Sequence, residues 1–182
     1  MTNILNTEIS GLKIIEPKVL GDSRGYFFES YKKSFFEENE IAGSIVQINQ
    51  SFSTQNVIRG LHFQKSTHAQ GKLVRCLSGE IYDVAVDLRK NSETFGQHFG
   101  INLSGENKKM LFVPIGFAHG FSTLSSEAEI QYLVFGSQYN KEAECGIKYN
   151  DESLKINWQV SNEIISEKDL ELPSFADLKE FF

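Results

Sequence analysis

Polar and apolar positions alternate most regularly over IVQINQSFST, residues 45–54. Gln47, Asn49, Ser51 and Ser53 fall on one side of a strand there, with Val46, Ile48 and Phe52 on the other. The period returns in GEIYDVAVDLR, where Ile81, Asp83, Ala85 and Asp87 alternate with Tyr82, Val84, Val86 and Leu88. One of those faces is wholly apolar; the other carries two carboxylates. LVRCLS just before it reads as a partner strand, joined through a Ser78-Gly79 hairpin turn.

Further strands are predicted at Ile9–Ile15, at Val19 and Leu20 after Pro17, and in the aromatic YFFESY that follows the Asp22-Ser23-Arg24-Gly25 turn. Others fall at His98–Leu103, in MLFVPIGFAHGFSTLS with breaks at Pro114 and Gly116, and at residues 127–135. Gly136–Lys141 is a loop, and Gly146–Asp151 a short extended segment. Helical signals are weak. Ser34 and Glu37 have capping-box spacing for a short helix ending near Asn39, and Ser174 can cap another after a polar turn over SEKD. Many short strands with two minor helices predict an all-β antiparallel sandwich or barrel, with a jelly roll the best fit to the length.

At 182 residues the chain suits one domain with a substantial core, to which fifteen Phe and six Tyr contribute. A net charge of -6 argues against a nucleic-acid surface. Cys76 and Cys145 are isolated thiols, suited to a reducing compartment. With no basic-then-apolar leader and no apolar run long enough for a bilayer, the expected location is the cytosol, with no membrane partner.

The residues with chemical potential cluster after the alternating strand. A face of amides and hydroxyls suits a polyhydroxylated ligand, and equally suits the solvated side of an edge strand. Arg59 and His62 would point to opposite faces of an unbroken strand, but Gly60 between them permits a bulge that brings both into one cavity. Lys72 adds a second cation. Of the four His, His68 and His98 read as surface residues, whereas His62 and His119 lie among glycines and apolar residues. A jelly-roll metal centre needs closely spaced histidines, and RGLHFQ has no such pair, so no metal is expected. His62 is instead a candidate proton-transfer base, and such a base wants a carboxylate to fix its tautomer. Asp83, Asp87 and Asp169 all qualify by type, and spacing does not choose among them. Tyr132 is either a phenolic acid or an amphipathic core tyrosine. Lys72 either stabilises an oxyanion or sits in solvent.

DSRGYFFES, QINQSFSTQNVIRGLHFQ, QGKLVRCLSGEIYDVAVDLR, VPIGFAHGF and SEKD together resemble the dTDP-4-dehydrorhamnose 3,5-epimerases, in order and over nearly the whole chain. The resemblance implies a cupin-type jelly-roll β-sandwich spanning residues 1–182. It further implies a homodimer with exchanged N-terminal strands, no cofactor and no metal. The implied reaction inverts C3 and C5 of dTDP-4-keto-6-deoxy-D-glucose. Matching by motif, His62 is the implied base with Asp169 its partner, Lys72 faces the C4 oxygen and Tyr132 is the proton donor. Arg24, Glu29, Gln47, Asn49, Arg59, His119, Glu144 and Lys168 take binding positions, and Asp83 orients His119. The absence of a glycine-rich dinucleotide loop agrees with a redox-neutral reaction. The family's YK-x-T-x-YY pattern is replaced here by YLVFGSQYNKEAE, one residue longer before the glutamate. Alignment from the strand side keeps the donor at Tyr132 and puts the extra residue in the Gly136 loop. A single-centre epimerase, a metal-dependent cupin and a non-catalytic sugar-binding cupin are the competing expectations.

Overall fold

The computed structural model describes residues 2–41 and 43–182, in which two antiparallel sheets lie face to face. The first runs in the order β1 (Asn3–Asn6), β2 (Lys13–Glu16), β10 (Met110–Val113), β7 (Gln70–Ser78), β12 (Glu127–Gly136), β5 (Ile45–Thr54). The second runs β13 (Glu144–Gly146), β6 (Ile58–Gln64), β11 (Phe117–Thr123), β8 (Glu80–Asp87), β9 (His98–Ser104). A separate hairpin pairs β3 (Leu20–Asp22) with β4 (Gly25–Phe27). The helices are α1 (Lys33–Glu38) and α2 (Glu167–Leu170). This is a jelly-roll β-sandwich.

Strand alternation explains the core. Val74, Cys76, Leu111, Ala128 and Ile130 from the first sheet meet Ile81, Ala85, Leu103 and Phe121 from the second. On the outer side of the first sheet, Leu73, Phe112, Leu133 and Phe135 are covered by Phe36 of α1 and Ile41. The outer side of the second sheet is covered by the C-terminal segment, whose Leu154, Trp158 and Leu178 pack on Ile58, Val84, Val86 and Leu88. Strand β8 is therefore buried on both faces, which is why its apolar side is continuous and its carboxylates are fully enclosed.

Several sequence expectations shift. Residues 9–11 form the turn of the β1–β2 hairpin rather than strand, because Gly11 takes a φ of +91°. The aromatic strand ends at Phe27, leaving Glu29 beyond it. Helix α1 starts one residue early, with Lys32 at its N-cap and no side-chain cap, so the Ser34–Glu37 box does not form. Ser78-Gly79 is no hairpin: β7 and β8 belong to different sheets, and the chain crosses between them there. A Cβ on Gly79 would collide with the Glu127 carbonyl and lie 2.9 Å from Ala128 Cα. The short extended segment is Glu144–Gly146, ahead of the predicted 146–151. At the C-terminus turn and helix exchange places. SEKD becomes α2, whose N-cap Ser166 accepts from the Asp169 N–H, while Ser174 bonds Asp177 within a turn.

Candidate active site

Strand β5 turns its polar positions inward and leaves Ile48 and Phe52 on the surface. Ser51, the neighbour of Asn49 on that inner face, has a buried hydroxyl without a partner among the described residues. Opposite, β6 carries the bulge that Gly60 allows. Arg59 pairs with Phe121 and His62 with His119, so two residues of β6 face the single Gly120 between them. Gly60 takes a φ of +114°, and a Cβ there would lie 2.6 Å from Gly120 Cα. The extra residue shifts side-chain parity, and Arg59 and His62 line the same cavity of about 520 Å³. Lys72, His119, Tyr132, Lys168 and Asp169 line it too.

Nε2 of His62 lies 2.7 Å from Oδ1 of Asp169, with the imidazole about one-third exposed and the carboxylate nearly enclosed. The Gly60 N–H donates to the other Asp169 oxygen at 3.3 Å. Burial by itself raises the Asp169 carboxyl, but the bond to His62, its charge and the Gly60 N–H outweigh this and hold it below the usual range. An ionised Asp169 accepts from Nε2–H, so Nδ1 is the nitrogen able to take a proton. His119 is paired likewise, Nε2 to Asp83 Oδ1 at 2.9 Å, both nearly buried. The second Asp83 oxygen is buried and has no partner among the described residues. Asp87 is occupied by Arg89, Ser92 and Thr94 and stands apart from both imidazoles.

Lys72 on β7 and Tyr132 on β12 project inward from adjacent strands, the ammonium 5.7 Å from the ring centroid. Burial pushes Lys72 down to about 8, against the pull of Asp83 and Glu144. Asn49 is directly opposite Tyr132, and Gln47 donates to Asn49 at 2.7 Å. Arg59 is held by β5, its Nε donating to Ser53 and a terminal nitrogen to the Phe52 carbonyl. At the rim, Lys168 meets Glu144 at 2.6 Å. The cavity thus presents an imidazole backed by a carboxylate, a partly desolvated cation and a phenol. That set can remove a proton next to a carbonyl, steady the resulting enolate and return a proton.

Two expected binding residues lie away from this cavity. Arg24 is at the exposed β3–β4 tip, paired with Asp22, and Glu29 borders a separate cavity of about 380 Å³ beside α1. His68 is no free surface residue, since Nε2 lies 3.2 Å from the Asn140 amide nitrogen; His98 is half-buried. Sequence reasoning passed over Tyr139, whose hydroxyl donates to Glu144. It also passed over Ile164 and Ile165, which line the cavity from a segment bridged to Val57. Nothing in the local pattern marks those isoleucines.

The family model for dTDP-4-dehydrorhamnose 3,5-epimerase matches residues 6–177. A dTDP-4-dehydrorhamnose 3,5-epimerase of Shigella flexneri is 50% identical over 181 residues, covering 98% of this chain and 99% of that one. The crystal structure of the enzyme of the same name from Elizabethkingia anophelis superposes with a TM-score of 0.93 at 48% identity, over 99% of both chains. A dTDP-6-deoxy-D-glucose-3,5-epimerase from Legionella pneumophila, solved with dTDP-4-keto-L-rhamnose, gives 0.94 at 46% identity, over 98% and 95% of the chains. The cupin-type jelly roll, the match along almost the full length and these identities have one explanation: the chain belongs to the dTDP-4-dehydrorhamnose 3,5-epimerase family.

Proposed function

We propose that the chain is an isomerase that inverts C3 and C5 of dTDP-4-keto-6-deoxy-D-glucose, giving dTDP-4-keto-L-rhamnose for deoxysugar synthesis. The observation that carries this is the 2.7 Å His62–Asp169 pair, opening on a cavity shared with Lys72 and Tyr132. The C4 ketone acidifies the protons on both neighbouring carbons, so one base can serve both. His62 takes the proton, and Asp169 stabilises the imidazolium that forms. Lys72 meets the negative charge gathering on the C4 oxygen, where low dielectric strengthens the attraction. Tyr132 returns a proton from the opposite face and the centre inverts. Arg59, His119, Gln47, Asn49, Glu144 and Lys168 hold the sugar and the nucleotide, with Asp83 orienting His119. Arg24 and Glu29 serve the site of a partner subunit through exchanged N-terminal strands, in a cytosolic homodimer. No described helix is long and apolar enough to cross a membrane.

The test is incubation with this dTDP sugar in heavy water, followed by proton NMR. Deuterium and inversion at both C3 and C5 are expected. Exchange at one carbon only identifies a single-centre epimerase and overturns the double inversion. Binding without exchange marks a sugar-binding cupin, and an activity that needs stoichiometric iron, manganese or zinc marks a metal-dependent one.

A further inference from the structure

The carboxylate that backs His62 is carried by a helix very short for the task. Helix α2 has four residues, and Asp169 is its one buried side chain; Leu170 beside it is 59% exposed. A single turn has little stability of its own, because it fixes several dihedrals for one or two hydrogen bonds. Its seat comes from outside. Upstream, Ile164 is bridged to the start of β6, its carbonyl accepting from the Ile58 N–H at 3.1 Å and its N–H donating to the Asn56 carbonyl at 2.9 Å. Downstream, Leu172 lies over Gly146, where a Cβ would come within 2.7 Å of it. Between these anchors stands Ser166, which lines the cavity and whose hydroxyl accepts from the Asp169 N–H at 3.1 Å.

Asp169 is the third residue of α2. A carboxylate there ordinarily turns back to the free N–H groups of its own first turn. Here both oxygens leave the helix, one to His62 at 2.7 Å and the other to the Gly60 N–H at 3.3 Å. The Ser166 hydroxyl meets the local need instead.

We propose that Ser166 is a positioning residue for the proton-transfer pair, freeing the Asp169 carboxylate to face His62 by capping α2; the proposal rests on the epimerase reading above. Without the hydroxyl, the Asp169 N–H keeps only the Ser166 carbonyl, and the carboxylate is drawn back toward its own helix, away from the imidazole. Burial raises the Asp169 carboxyl, and the Ser166 hydroxyl joins His62 and the Gly60 N–H in holding it down.

Ser166→Ala deletes the hydroxyl alone. Loss of one cap predicts a fall in kcat of about five- to tenfold, with KM and dTDP affinity within about twofold of wild type. Ser166→Thr keeps the accepting oxygen and should recover most of that loss. The downfield proton resonance of the His62 Nε2–H, donated to Asp169 in wild type, should move upfield in Ser166→Ala and return in Ser166→Thr. Added to Asp169→Asn, Ser166→Ala should cost less than about twofold more, since the hydroxyl acts through the carboxylate. Unchanged kcat in Ser166→Ala overturns the proposal, as does an equal loss in Ser166→Thr, an additive loss in the double variant, or a His62 resonance that stays put while kcat falls. Weaker dTDP affinity at constant kcat overturns it too, by making Ser166 a ligand contact. Wild-type protein that catalyses no exchange sinks the epimerase reading itself; active wild type with a silent Ser166→Ala sinks only the positioning role.

Discussion

In the proposed mechanism one imidazole serves two carbons, so His62 is the residue whose loss is least recoverable. His62→Asn should cut deuterium exchange at C3 and C5 together by about a thousandfold, while dTDP binding, followed by calorimetry, stays near wild type. Asp169→Asn should also be damaging, because an amide stabilises no imidazolium; full activity there would remove Asp169 from the mechanism. Lys72 carries a signed pH dependence. Its ammonium loses its proton as pH rises through about 8, so kcat/KM, which reports the free protein, should fall over that range. Stability moves the other way. The cost of burying the charge is fully present below that value and is relieved as pH approaches the ordinary lysine range of about 10.4. Lys72→Met should therefore melt higher than wild type at pH 7, by a margin that shrinks at pH 9.5. Such residues were readable as types, but pairings were not. Asp169 sits 107 positions from His62, and no spacing rule separates it from Asp83 and Asp87, which the fold commits to His119 and Arg89.

At the scale of elements, alternation located β5 and β8, and the single glycine of RGLH marked the bulge that sets Arg59 and His62 side by side. Short-range signals failed where packing decided the outcome. Helix α1 is placed by Phe36 against the first sheet and takes no cap from Ser34. Likewise, Ser78-Gly79 has hairpin chemistry yet carries the chain across the sandwich, a fact that lives in sheet order. The bulge itself is testable. In Gly60→Ala the new methyl meets Gly120 Cα at 2.6 Å and the His119 carbonyl oxygen at 2.7 Å, at a φ of +114°. Denaturant titration should show a loss of about 2–4 kcal/mol, accompanied by lost exchange activity from a displaced His62. Wild-type stability and activity would mean that the two strands can separate freely at this point.

Across the whole molecule, apolar side chains collect on surfaces that the single chain leaves to water. Leu20, Tyr26 and Phe27 on the β3–β4 hairpin are 53%, 59% and 64% exposed, and Ile48 and Phe52 line the outer side of edge strand β5. The dimer proposed above, with exchanged N-terminal strands, predicts that these side chains are covered and that Arg24 stands away from its own cavity. Mixing subunits tests it. Arg24→Ala and His62→Asn proteins, each impaired alone, should regain activity when unfolded and refolded together, because one site of each mixed dimer has both residues intact. No recovery, with dimers confirmed by light scattering, would confine each site to one chain.

The cover over the second sheet has a consequence for how the chain is made. Trp158 and Leu178 shield the apolar side of β6 and β8 from positions far downstream, and the backbone of Phe182 bonds to Leu88 and Lys90. The α2 carboxylate opposite His62 comes from the same late stretch. During synthesis the strands emerge well before their lid, so a nascent chain displays Val84, Val86 and Leu88 bare until the segment carrying Leu154, Trp158 and Leu178 has followed. Maturation thus waits on that covering segment, and chains cut short within it should be captured by chaperones or proteases rather than persist as a weakened enzyme.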